Sequence, residues 1–152
     1  MDAQVMTKAK RQSSSTPEMP ANVQTVFNAY PPAVRRRFMQ IRALMYQTAE
    51  QLKGVGPITE TLKWGEPAYL TELSKSGSTV RFNWKAAQPD RLAVCFNCQS
   101  RLIGHFREHF PHQFDYEGNR ALVLSLGEST PTDDLSKCLA TALQYHRIKE
   151  SL

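Results

Sequence analysis

Three cysteines and four histidines are the residues of this chain best suited to holding a metal or to redox chemistry. Most of them fall in one short stretch. Cys95-Phe96-Asn97-Cys98 has the two-residue spacing of a metal-binding or redox pair, and His105 and His109 follow, giving C-x2-C-x6-H-x3-H. A ββα zinc finger separates its two pairs by about a dozen residues, so a gap of six is short. Strand alternation places Cys95 on the face opposite Val94 and Phe96, with Cys98 past the strand end. The helical period sets His105 and His109 at the border of an apolar face, and Pro111 redirects the chain before His112. We therefore expect neither a metal nor a cofactor. A redox pair would need its thiolate at a helix N-terminus within a βαβ unit. Here only Cys98 adjoins a helix, starting near Gln99, and no βαβ pattern surrounds it, so Cys95 and Cys98 are expected to be packing residues. Cys138 falls on an apolar helix face and is expected in the core.

A second group lies in Trp64-Gly65-Glu66-Pro67-Ala68-Tyr69. A tryptophan at a strand end, a glycine permitting close approach and a proline fixing a turn can build a rigid aromatic wall, with Glu66 as its polar tip. Trp84 and Lys85 are expected nearby, so the candidate ligand site is Trp64, Gly65, Glu66, Pro67, Tyr69, Trp84 and Lys85. In the alternative, Trp64 and Tyr69 anchor the sheet to the helices and Gly65-Glu66-Pro67 is only a turn. Arg35-Arg36-Arg37 could grip phosphate, but successive helical residues point about 100° apart, so only Arg35 and Arg42 share a face. The nearby aromatics, Phe27 and Phe38, sit on buried stripes rather than between the charges. A solvated helix face is expected, with nucleic acid not a partner. No nucleophile elbow, phosphate loop, dinucleotide fingerprint or H-E-x-x-H occurs, and no catalytic residue is assigned.

These groups must be positioned by elements that the apolar pattern reveals. At 152 residues and a net charge of +5 the chain suits one globular domain, weakly attracted to anions. No stretch is long and apolar enough to span a membrane, the first residues lack a secretory apolar core, and three cysteines suit a reducing compartment. Cytoplasm is the expected location. Residues 1–19 are polar and aperiodic and are expected to be a disordered tail, with a single domain over 20–152. Val23, Val26, Phe27 and Tyr30 predict a first helix stopped by Pro31-Pro32. Val34, Phe38, Ile41, Met45, Thr48 and Leu52 line one face of a second, and Gly54 and Gly56-Pro57 end it.

From Ile58 the apolar period becomes two: Ile58, Leu62 and Trp64 alternate with Thr59, Thr61 and Lys63, Glu60 interrupting the apolar side. Gly65-Glu66-Pro67 breaks the run, which resumes over Ala68 to Leu73. After a turn at Ser74–Ser78, Val80, Phe82 and Trp84 face one way and Arg81, Asn83 and Lys85 the other; Leu92, Val94 and Phe96 form the next inward row. Such short turns require antiparallel neighbours. A helix over 99–110 and a hairpin around Gly118-Asn119 follow. The last helix is expected to be capped by Thr130, with Pro131 at its first position, Asp133 at the third and Leu135, Leu139, Ala142 and Leu143 inward. The fold class is α+β, one antiparallel sheet of about six strands packed with helices, in the order ααββββαββα.

Trp64-Gly65-Glu66-Pro67-Ala68-Tyr69, following an amphipathic helix and one strand, resembles the W-G-x-P-x-Y signature of the YdhG-like family, a bacterial domain mostly of unknown function. The likeness covers roughly residues 22–150. It implies an α+β fold in the cytoplasm and a binding or interaction domain whose partner is an unknown small molecule, metal or protein. Some members are described as frataxin-like iron chaperones. Iron transfer needs clustered exposed carboxylates, whereas the longest helix here bears Arg35, Arg36, Arg37 and Arg42 against Glu50. Two alternatives stay open: an undescribed enzyme with a pocket near Trp64–Tyr69, and weak anion or nucleic-acid binding through the Arg35–Arg42 helix.

Overall fold

The computed structural model describes residues 16–152; residues 1–15, most of the expected tail, lie outside them. The end of that expected tail is held in place. The Pro17 carbonyl accepts a hydrogen bond from Arg42 at 2.8 Å, and Met19 packs against the core. The first helix, α1 (Ala21–Asn28), buries Val23 and Phe27, and the Pro31-Pro32 step separates it from α2 (Pro32–Glu50). Pro32 fits the first position of α2 because that N–H has no helical partner in any case. The predicted apolar stripe of α2 is buried from Val34 to Thr48, and Gly54 and Gly56 take the positive φ values, 77° and 75°, that carry the chain out of the helix.

The six strands are β1 (Thr59–Lys63), β2 (Glu66–Leu70), β3 (Val80–Trp84), β4 (Arg91–Cys95), β5 (Asp115–Glu117) and β6 (Ala121–Ser125). They form one sheet in the order β1-β2-β3-β4-β6-β5, antiparallel throughout. Between β4 and β5 runs α3 (Leu102–His109), and after β6 come α4 (Thr132–Leu143), the short α5 (Tyr145–Ile148) and a 3₁₀ turn at Lys149–Ser151. The architecture is thus the predicted α+β class, with a short helical turn beyond the expected order. Tyr69, Val80, Phe82, Leu92, Val94, Phe96, Leu122 and Leu124 join residues of the helices in one core, while Ala93, Cys95, Ala121 and Val123 form a separate cluster on the opposite face. Helices therefore cover one face only. Alternation is clearest in β3, where Val80 and Phe82 are buried, whereas β4 and β6, in the middle of the sheet, are buried on both faces.

The local expectations that fail do so at turns. Lys63 pairs with Glu66, which leaves Trp64-Gly65 as the two-residue loop and puts Glu66 and Pro67 inside β2. That strand ends at Leu70 rather than continuing to Leu73. Glu117 pairs with Ala121, so the last hairpin uses three residues, Gly118 to Arg120, instead of two. Helix α3 begins at Leu102, after a turn, and not near Gln99. The expected cap of α4 is also absent: Pro131 occupies the cap position, the helix starts at Thr132, and the buried Thr130 hydroxyl makes no hydrogen bond. Asp133 and Asp134 still lie in the first turn, where the helix dipole favours them.

The β2–β3 connection is fastened to the end of α4. The Ser76 hydroxyl donates to the Leu143 carbonyl at 2.8 Å, the Ser78 amide donates to the Ala142 carbonyl at 2.9 Å, and the His146 amide donates to the Ser76 carbonyl at 2.8 Å. The first two serve carbonyls at the helix end, where partners within the helix run out. They draw Gly77 so close that a Cβ there would sit 2.8 Å from the backbone Cα and oxygen of Leu143. Backbone cannot swing aside as a side chain can. Gly77→Ala should therefore lower the stability by about 1–3 kcal/mol, the usual range for overpacking, seen as a lower urea midpoint with an unchanged slope. A midpoint equal to the parent's would mean that this contact is not tight.

Candidate functional site

The strongest polar constellation is one the sequence disguised as an interruption. Glu60 faces the helices from β1, with its side chain 3% exposed, and meets the equally buried Arg42 of α2. The pair is bidentate: Arg42 Nε donates to one carboxylate oxygen at 2.6 Å and Nη2 to the other at 2.7 Å. The Tyr69 hydroxyl donates to Glu60 Oε2 at 2.8 Å, and the Tyr46 hydroxyl lies 3.4 Å from Oε1. The four side chains come from three elements, Arg42 and Tyr46 from one turn of α2, Glu60 from β1 and Tyr69 from the position paired with it on β2. Burial, followed by the Glu60 charge, raises the pKa of both phenols, that of Tyr46 to about 12. The cluster is closed and mutually satisfied, so it fixes geometry and offers no free acid, base or nucleophile. Alternation alone could have flagged Glu60 as inward-facing, but nothing local named Arg42 as its partner.

The seven expected ligand-site residues do not line one cavity. Tyr69 belongs to the buried cluster, and Pro67 is buried in β2. Trp84 is half-buried on the helix side, its ring 5.5 Å from that of Tyr30 and its indole N–H bonded to the Pro89 carbonyl at 3.0 Å. Glu66 faces the open side of the sheet, where Arg81 and Asn83 hold its two carboxylate oxygens. Lys85 is exposed just past β3. What these residues share, with the tip of the β1–β2 hairpin, is one end of the sheet. Trp64, expected on the inward row, is 88% exposed. Its φ is 58° and that of Gly65 is 76°, two successive positive values of the kind a type I′ hairpin turn requires.

Among the described residues no three metal-binding side chains converge. Cys95 is buried on the open face of the sheet, where loss of solvation pushes its thiol up to about 11 against the opposing pull of Arg81. Cys138 is core, its thiol raised by burial to about 12. Cys98 is exposed. The rings of His105 and His109, however, lie side by side with centroids 4.1 Å apart. Burial and the neighbouring His109 lower the pKa of His105.

The arginine helix is not the solvated face that was expected. Arg42 is buried, and Arg37 reaches the carbonyls of Ser125, Leu126 and Glu128 at 3.3, 3.2 and 2.9 Å. Arg35 donates to the Asn28 carbonyl at 3.2 Å. Arg36 alone of the four is exposed with no such bond among the described residues.

Removing one partner of the buried pair should expose its cost. Glu60→Gln or Arg42→Met should each destabilise by about 3–5 kcal/mol, while the double change Arg42→Met with Glu60→Leu should recover much of the loss, because no charge then stays uncompensated. Chemical denaturation of the three variants checks this; equal losses in all three would show that packing, not charge, dominates. A second outcome concerns alkali. In the unfolded chain tyrosine ionises near 10, whereas Tyr46 and Tyr116 are raised to about 12, so their contribution is full below pH 10 and fades as pH rises toward 12. Tyrosinate absorbance should thus lag in the native state and appear together with alkaline unfolding; Tyr46→Phe should shift that transition upward. Compared with models of known families, with characterised proteins and with solved structures, the chain matches none.

Proposed function

We propose that the chain is a non-enzymatic binding module of the YdhG-like type, working in the bacterial cytoplasm, and that it docks a protein partner through the tip of the β1–β2 hairpin. The observation that carries this reading is Trp64, 88% exposed and held at φ 58°. Asn or Gly is the favoured occupant of such a position, and a bulky aromatic there is a backbone outlier costing roughly 1–3 kcal/mol. Among the described residues neither burial nor a hydrogen bond of its indole compensates for that cost, so the ring supports a use outside the fold. A small molecule is normally enclosed over most of its surface by a cleft, and Trp64 protrudes instead. Protruding tryptophans are the anchors that protein interfaces rely on.

The experiment separates this from a structural role. Trp64→Asn should raise stability by about 1 kcal/mol by relieving the turn. A photoreactive side chain at the exposed Lys63 should trap one discrete partner in cells, and adding Trp64→Asn should abolish the adduct. The same probe at Leu73, at the far end of the hairpin, should trap nothing. If Trp64→Asn lowers stability, or the Lys63 adduct survives it, the tip is not the docking site.

A further inference from the structure

We propose that His105 and His109 together form a two-nitrogen site for a divalent d-block cation such as zinc or nickel, at the C-terminal end of α3. Four residues apart, the two imidazoles occupy one face of the helix, and their ring centroids are 4.1 Å apart with planes inclined at 34°. Metal–imidazole bonds are about 2.0–2.1 Å long, so one ion can bridge rings this close once their free nitrogens turn toward it. A backbone carbonyl can only accept, so the 3.0 Å contact between His109 Nδ1 and the His105 carbonyl requires the proton on Nδ1. Neutral His109 therefore carries its lone pair on Nε2, the outward nitrogen. Metal-binding histidines are commonly fixed by this same bond from the other nitrogen to a carbonyl. Among the described residues no protein group hydrogen-bonds either nitrogen of His105 or Nε2 of His109.

The surroundings suit a cation with open coordination positions. His109 is the last residue of α3, where helix-end carbonyls present partial negative charge. A shallow groove of about 670 Å³ on the His105 side, lined also by Arg101, Gly104, Arg107, Glu108 and Asn119, leaves space there for water or an exchangeable ligand. Arg101 is tied to the Lys149 carbonyl at 3.0 Å and Arg107 to the Gly118 carbonyl at 2.7 Å. Imidazole selects zinc, nickel or copper over the oxygen-seeking magnesium and calcium. With two protein ligands the ion is held exchangeably, as suits uptake and release more than structure. Cys95 and Cys98 take no part, because among the described residues no third ligating side chain converges on the pair.

Calorimetric titration of untagged, full-length protein with zinc chloride, repeated with nickel chloride, should show one site, and magnesium chloride should give no heat. His109→Gln, at an exposed position that leaves packing alone, should weaken binding at least about tenfold, a loss that even supporting residues of metal sites produce. His105→Gln should do the same, with circular dichroism confirming its fold, and His146→Gln should bind as the parent does. Parental zinc affinity in His109→Gln, no saturable site in the parent, or an equal loss in His146→Gln would each overturn the assignment.

Discussion

The bidentate pair between Arg42 and Glu60 is the constraint on which the rest of the architecture turns. Two charges withdrawn from water are stable only while each satisfies the other and their spare hydrogen-bonding capacity is used. Tyr69 and Tyr46 use the remaining capacity of the carboxylate, and the Pro17 carbonyl takes a further proton of Arg42. Helix α2, the edge hairpin β1–β2 and the segment before α1 are thereby locked at one point. A slip of β1 by one residue would turn Glu60 to the open face and strand Arg42 in the core. Apolar contacts tolerate small adjustments; this cluster does not, so it sets the register of the sheet edge and the angle at which α2 crosses it.

How far the sequence revealed this differs between apolar and polar features. The stripe from Val34 to Thr48 and the inward rows Val80-Phe82 and Leu92-Val94-Phe96 were legible, because burial of alternating or helical faces leaves a periodic trace. Glu60 was visible only as a break in that trace, since the partner that makes it tolerable is eighteen residues away on another element. Arg42 was misplaced for the same reason: on a helix bearing Arg35, Arg36 and Arg37 it looked like one more solvated charge. Turn details failed where two loops of similar composition compete, as at Gly65-Glu66-Pro67 and Gly118-Asn119. Trp64 was read as inward because period two does not say where a strand stops. The arrangement of tryptophan, glycine and proline points to a strand end but not to which way the ring turns, and the structure places it on a protruding tip.

The basic character of the chain has a structural explanation. Arg37 gathers the carbonyls of the β6–α4 loop, Arg147 reaches those of Lys53 and Gly54 after α2, and Arg101 and Arg107 tie α3 to the C-terminal turn and the last hairpin. Arg81 and Arg91 pair with Glu66 and Glu117 across the open face of the sheet. A planar guanidinium with several donors suits carbonyls left unpaired at loops and helix ends. The positive charge is distributed accordingly, at loop junctions around the molecule rather than in one stripe.

The bonds from Ser76 and Ser78 to the last carbonyls of α4 also bear on how the chain assembles. Sixty-seven residues separate Ser76 from Leu143, so until nearly the whole polypeptide is available the β2–β3 connection has only its local bonds, such as that from the Gly77 amide to the Thr71 hydroxyl. The first four strands can pair locally through short turns, yet the loop joining the middle two has no helix to fasten to while the chain is still being made. Long-range closures of this kind slow the final step of folding. During synthesis, the nascent sheet would thus carry an unfastened loop until the C-terminal helix emerges and clasps it.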